Sequence, residues 1–371
     1  MHAERARAIH DDLPVVDGHN DLPWALRARA AGDLDRADPG SALPGFHTDV
    51  PRMLDGGVGG QFWSVYVPSD AEHPFTDVHR QVDLVERMIE RDDRLESAAT
   101  ADDVRRIRGT GRIASLLGAE GGHAIEGDLG KLRDLADRGV RYLTLTHADT
   151  LPWADSATDD ARNGGLTDFG REVVAEMNRL GVMVDVSHVS AATMRDALDA
   201  STAPIIASHS NARALADHPR NVPDEIAAEI GRRGGVVMAV FFPGFTVPST
   251  AAAMVAMFER WREIRARHAG DEEEILAEME RIEAGLDVDV GTVEDVVDHI
   301  EHLAAVAGVD AVGLGSDFDG MTMTPAGLED VSCYPAITES LLRRGWSEHD
   351  VRKILGGNTL RVLEAAEAAG A

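Results

Sequence analysis

Residues 181–190 read GVMVDVSHVS and residues 204–209 read PIIASH. Both are short apolar runs rich in Val and Ile, the composition of a buried parallel strand, and both reach a histidine where the run stops. Outward from this pair the same unit recurs. Similar runs lie at 14–21 (PVVDGHND), 60–67 (GQFWSVYV), 113–120 (IASLLGAE), 141–147 (RYLTLTH), 235–242 (GVVMAVFF) and 311–317 (AVGLGSD), so that with 182–188 and 204–209 there are eight. Helix-like amphipathic stretches fall between them at 77–92, 130–138, 168–180, 190–199, 223–233 and 295–307. Repeated βα units predict an α/β fold, and eight of them predict a closed (β/α)8 TIM-like barrel, although an open doubly wound sheet produces a similar local pattern.

Polar placement favours the barrel. His19 and Asp21, Glu120, His147, His188, His209 and Asp317 all fall at the C-terminal end of a predicted strand, and in a barrel those ends converge on one face. Strand periodicity puts His19 and Asp21 on one side. It also places His188 in the row of Val184 and Val186, and His209 in the row of Ile205 and Ala207, which are expected to fill the barrel. Residues 249–290 break the rhythm. They read as one or two charged helices inserted after the seventh strand, expected to present a solvated face, with a lid over the strand ends as the alternative. No linker marks a second unit, so residues 1–371 are expected to form a single catalytic domain.

Composition limits what such a domain can do. The 44% hydrophobic content supplies a large core, and 36 basic against 65 acidic side chains, a formal charge of −29, repel nucleic acid and anionic membrane surfaces. Cys333 is the only cysteine, which excludes an intrachain disulfide and a cysteine-rich metal site. The N-terminal stretch MHAERARAIHDDLPVVDGHND lacks the apolar segment of a signal peptide and no run is long enough to span a bilayer, so the expected location is cytoplasmic.

Any metal site must therefore use imidazole and carboxylate, the ligands expected for zinc or a similar divalent ion when thiolate is absent. Three histidines (His19, His188, His209) and two carboxylates (Asp21, Glu120) suit two metals, with Glu120 as the bridge. Two cations about 3.5–4 Å apart lower the pKa of a water between them, so that hydroxide is present at neutral pH. The glycines of AEGGHAIEGD at 119–128 lack the Lys and Ser/Thr of a P-loop, which argues against a phosphate cradle.

The segments VVDGHNDLPW (15–24), AEGGHAIEGDL (119–129), LTLTHADTLPWADS (143–156), GVMVDVSHVS (181–190), IIASHSNARAL (205–215), HPRNVPD (218–224) and GSDFDG (315–320) also resemble, in order, those of the membrane (renal) dipeptidase family of zinc metallopeptidases. The resemblance covers nearly the whole chain. It implies a binuclear zinc centre on a TIM-like barrel within the metal-dependent hydrolase superfamily, with His19 and Asp21 on one metal, His188 and His209 on the other, and Glu120 bridging. It further implies a dipeptide substrate, tolerance of a D-residue at the C-terminal position, and a homodimer.

Dipeptide hydrolysis then gives roles to three remaining residues. Asp317 is placed to take the proton of the attacking water and pass it to the leaving amine. His147 can donate to the carbonyl oxygen as it becomes an oxyanion, and Arg220 offers a guanidinium fork for the substrate carboxylate. One departure from the family is the loop after the seventh strand. Mammalian relatives carry Tyr there, whereas VFFPGF has Phe242 and Phe245 and no hydroxyl, so these two line the substrate side differently. The rival readings are a related binuclear amidohydrolase, such as an N-acyl amino acid deacylase, a lactonase or a deaminase, and a non-catalytic metal-binding barrel.

Overall fold

The computed structural model describes residues 2–268, 270–283 and 285–371. Nine strands run β1 (Val15–Asn20), β2 (Val58–Ser64), β3 (Leu95–Ser97), β4 (Ile113–Glu120), β5 (Val140–Thr144), β6 (Met183–Asp185), β7 (Ile206–Ala207), β8 (Val236–Ala239) and β9 (Val312–Leu314). All pairings are parallel in the order β1-β2-β4-β5-β6-β7-β8-β9, with the short β3 appended to β4. The seam between β9 and β1 is drawn together by backbone bonds, Asp317 N to His19 O (3.1 Å) and Asp21 N to Phe318 O (2.9 Å). Beneath them the buried carboxylate of Asp17 accepts from the Ser316 amide (2.8 Å), the Ser316 hydroxyl (2.7 Å) and the Tyr334 hydroxyl (2.7 Å). The eight long-range strands thus form a nearly closed (β/α)8 TIM-like barrel. No helix is long and apolar enough to cross a membrane among the described residues.

The strands alternate between two apolar clusters, as period-two geometry requires. Val16, Phe62, Leu116, Tyr142, Met183, Ile206, Val236 and Met238 meet one another across the barrel. Their neighbours Val15, Trp63, Leu117, Leu143, Val184, Ala207 and Val237 join helix residues such as Val173, Met177, Ala197 and Ile226 in the outer layer. Burying each such side chain contributes about 1.5–3 kcal/mol.

This alternation corrects one expectation. Val184, Val186, Ile205 and Ala207 belong to the row packed against the helices, not to the row that fills the barrel. His188 and His209 reach the mouth because their strands stop early, at Asp185 and Ala207. His188 then takes a left-handed backbone with φ of 67°, and Asp317 beyond β9 does the same at 67°, a conformation that costs a non-glycine residue energy. On β1 an irregularity in register between Asp17 and Asn20 shifts His19 inward. Only Glu120 continues an interior row, that of Ala114 and Leu116.

Other differences lie at element ends and in further helices. Helices His2–Asp12, Leu22–Ala30, Ala101–Arg108, Tyr334–Arg343 and Asn358–Gly370 were not anticipated. Residues 249–290 hold two helices, Pro248–Arg267 and Glu272–Glu283. They have an apolar cluster of their own, Ile264, Ile275 and Met279 packed with Trp261 and Ile282.

Candidate metal centre

Four strand ends meet around the carboxylate of Glu120. Its Oε2 lies 3.4 Å from His19 Nε2, while Oε1 lies 2.9 Å from His188 Nε2, 3.5 Å from His209 Nε2 and 3.7 Å from His147 Nε2. Asp21 Oδ2 stands 3.2 Å from His19 Nε2. Ligand-type atoms of His19, Asp21 and Asp317, of His19, Glu120 and His209, and of Glu120, His147 and His188 each fall within 4.8 Å of one another. The five residues expected to bind metal are therefore brought together, with Asp317 on the His19 side and His147 on the His188 side.

The donor set fits divalent cations. Among the described residues the buried Nε2 of His19 and Oδ1 of Asp21 have no hydrogen-bond partner, an arrangement that costs free energy unless a cation meets them. His188 Nε2 and His209 Nε2 face each other at 2.9 Å. Burial holds both imidazoles well below the usual histidine range, so both are neutral and offer lone pairs. At His19 burial acts the same way but is outweighed by Tyr142, Glu120 and Asp21, which raise its pKa well above normal. The carboxylates there demand positive charge, which a divalent ion supplies as well as a proton does.

Around the cluster the chain gives way at chosen points. A Cβ on Gly320 would stand 2.3 Å from Asp21 Oδ2 and 2.6 Å from Asp317 Oδ1, so glycine alone lets the GSDFDG loop pass over the carboxylates. A Cβ on Gly118 would enter the ring of Tyr142 at 2.0 Å; the space left is what allows the Tyr142 hydroxyl to reach His19 Nδ1 at 2.8 Å.

The cluster opens into a cavity lined by Asp21, Glu120, His147, His188, Arg220, Phe242, Phe245 and Asp317, and also by Trp24, Tyr66 and Asp319. Arg220 is fully buried, stacks at 5.0 Å on the Phe245 ring, and donates from Nη1 to Ser210 Oγ and from Nη2 to the His209 carbonyl, both at 3.3 Å. It forms no ion pair among the described residues, which argues against a surface salt bridge. Burial pushes its pKa down to about 10, still charged at neutral pH. Phe242 and Phe245 meet edge to face at 4.9 Å. Burial holds His147 down to about 4, and its ring packs on Tyr66 at 4.6 Å. The helices of 249–290 roof this cavity with Trp261, Arg262, Arg265, Glu272, Ile275, Leu276 and Met279.

Tyr66, Trp24 and Ser64, which donates to Glu120 Oε2 at 2.9 Å, did not stand out in the sequence. The end of the second strand, WSVYVP, carries no histidine or carboxylate. Its place at a strand end was the only available signal.

A parallel barrel with imidazoles and carboxylates gathered at its strand ends defines the class: a metal-dependent hydrolase. The sequence profile of the membrane dipeptidases (peptidase family M19) matches residues 3–371, and the chain belongs to that family. It is 38% identical to Dipeptidase 3 of Rattus norvegicus over 98% of this chain and 67% of the relative. With Dipeptidase verJ of Clonostachys rogersoniana it shares 37%, over 98% of this chain and 87% of that protein. Among solved structures, the probable dipeptidase PvdM from Pseudomonas aeruginosa superposes with a TM-score of 0.83 at 25% identity, covering 99% of each chain. A metallopeptidase from Rhodobacter sphaeroides, liganded with a phosphinate mimic of the dipeptide L-Ala-D-Ala, gives 0.77 at 28% identity, covering 95% of this chain and 99% of that one.

Proposed function

We propose that this protein is a two-metal dipeptidase, with zinc or another divalent ion held by His19, Asp21, Glu120, His188 and His209. The observation that carries the reading is the division of Glu120, whose Oε2 faces His19 and whose Oε1 faces His188 and His209. A carboxylate whose two oxygens face different candidate ligands is what a bridging ligand requires. When bound, such a metal pair supplies Lewis acidity and lowers the pKa of water. The remaining work falls to residues of this chain.

Arg220 lies on the cavity wall as a charged fork with no carboxylate paired to it among the described residues, suited to a substrate carboxylate, and the Phe245 face beneath it fixes the plane of the guanidinium. His147, neutral and within 3.7 Å of Glu120, is suited to donate to the carbonyl oxygen of the scissile bond as negative charge builds there. Asp317, beside Asp21 and His19, accepts the proton of the attacking water and delivers it to the leaving amine nitrogen. Phe242 and Phe245 supply the apolar wall against which a substrate side chain rests. The ligand of the Rhodobacter sphaeroides relative mimics the dipeptide L-Ala-D-Ala, which supports tolerance of a D-residue at the C-terminal position here.

The test is hydrolysis of L–L and L–D dipeptides beside N-acyl amino acids, with metal content measured on the same preparation. Cleavage of dipeptides with about two divalent ions per chain is expected. Hydrolysis confined to N-acyl amino acids would move the assignment to a related amidohydrolase. Fewer than one ion per chain after zinc-supplemented purification would leave a non-catalytic barrel.

A further inference from the structure

The barrel layer directly beneath the cluster is polar, and it centres on a residue with no part in the scheme above. Asp185, fully buried at the end of β6, receives four hydrogen bonds. Its Oδ1 accepts from the backbone amides of Ser187 (3.0 Å) and Ser208 (2.8 Å). Its Oδ2 accepts from the hydroxyls of Thr144 (2.5 Å) and Ser208 (2.7 Å). Ser208 Oγ is in turn 2.8 Å from His209 Nδ1.

A serine hydroxyl has one hydrogen. With that hydrogen given to Asp185, Ser208 can only accept from His209, so the imidazole proton must sit on Nδ1. Nε2 is then a bare lone pair, and it is the nitrogen that faces Glu120 at 3.5 Å and His188 at 2.9 Å. We propose that Asp185, acting through Ser208, is a positioning residue that fixes His209 in the tautomer able to bind a metal ion. The inference rests on the two-metal reading for its purpose, but the tautomer itself does not.

Asp185→Asn separates this from simple packing. The two backbone amides on Oδ1 require the Asn carbonyl at that position, so its NH2 faces Thr144 and Ser208. Ser208 then accepts, and its hydrogen turns toward His209 Nδ1, forcing the proton to Nε2 and blocking the ligand. Ser208→Ala removes the relay without imposing either tautomer. The experiment is nitrogen-15 NMR of histidine-labelled, metal-free protein, followed by zinc titration against a chromophoric chelator.

Expected are an Nδ1–H tautomer for His209 in the wild type and Nε2–H in Asp185→Asn. One of the two zinc ions should bind about 10–100-fold more weakly in Asp185→Asn, with a smaller loss in Ser208→Ala. An Nε2–H tautomer in the wild type overturns the inference. So does wild-type zinc affinity in Asp185→Asn, or a larger loss in Ser208→Ala than in Asp185→Asn. A wild-type protein that shows Nδ1–H but takes up neither zinc nor another divalent ion overturns the two-metal reading while leaving the tautomer assignment intact.

Discussion

Asp317 and Arg220 sit on the same cavity wall, and substitution separates their parts. Asp317→Asn preserves shape and hydrogen-bonding capacity while removing the base. It is expected to retain both metals and to lose about 100-fold or more in kcat, as read by steady-state kinetics with metal analysis; unchanged turnover removes Asp317 from the mechanism. Arg220→Lys keeps the charge but not the fork. An increase of about 10-fold in KM for dipeptides with a free carboxylate, and little change for their C-terminal amides, is the expected pattern. At this scale the candidate metal cluster was legible because His and carboxylate at the end of an apolar run are unusual. The path by which His188 enters the site was not legible. Its left-handed φ of 67° answers to the loop around it and leaves no mark in the sequence. Ser64 and Tyr66 were hidden for the opposite reason, since common residue types at a strand end have no distinctive chemistry until their neighbours are known.

Elements differ in how strongly they are tied to the barrel. The helices Pro248–Arg267 and Glu272–Glu283 pack on one another around Ile264, Ile275 and Met279. They reach the rim through Met254 and Met257, which join the main core, and through polar contacts, Arg265 to Asp70 at 3.0 Å and Arg29 to Glu280 at 2.9 Å. Ile275→Ala is expected to weaken that pair by about 2–4 kcal/mol, seen as faster hydrogen exchange over 248–283 with the barrel strands unchanged. Sequence periodicity found these helices and their charge but left a solvated face and a lid over the strand ends as alternatives, because the partner surface lies far away in the chain.

The helix Asp168–Leu180 offers a pH test away from the metal centre. Arg179 and, against burial, Arg133 hold Glu176 down from 4.5 to about 2. A carboxyl whose folded pKa is depressed stabilises the fold above its unfolded value and loses that contribution as pH falls through the folded one. The stability gap between wild type and Glu176→Gln, about 1 kcal/mol after solvent screening, should be constant above pH 4.5 and shrink toward pH 2 in urea melts. A gap independent of pH would show that the arginines act by packing alone.

For the whole molecule, metal and fold are linked. Ions that bind only the folded state raise its stability by mass action, so chelation should lower Tm and zinc should restore it; an unchanged Tm on chelation would mean that the cluster holds no ion in solution. The eight-unit barrel was readable from the sequence because each strand is a compact apolar run with its own helix. The added strand β3 and helices such as His2–Asp12 and Asn358–Gly370 were not, since they take their form from surfaces made by distant segments.

Asp17 and Ser316 meet across 299 residues of chain to close the barrel at the site itself. His19 and Asp317 therefore become neighbours only after nearly the whole polypeptide has been made. A chain still on the ribosome carries the histidines that follow β6 and β7 but not the assembled cluster. The position of the seam makes assembly of the cluster a property of the finished molecule, and after a nick between the two ends it holds together only while both fragments remain associated.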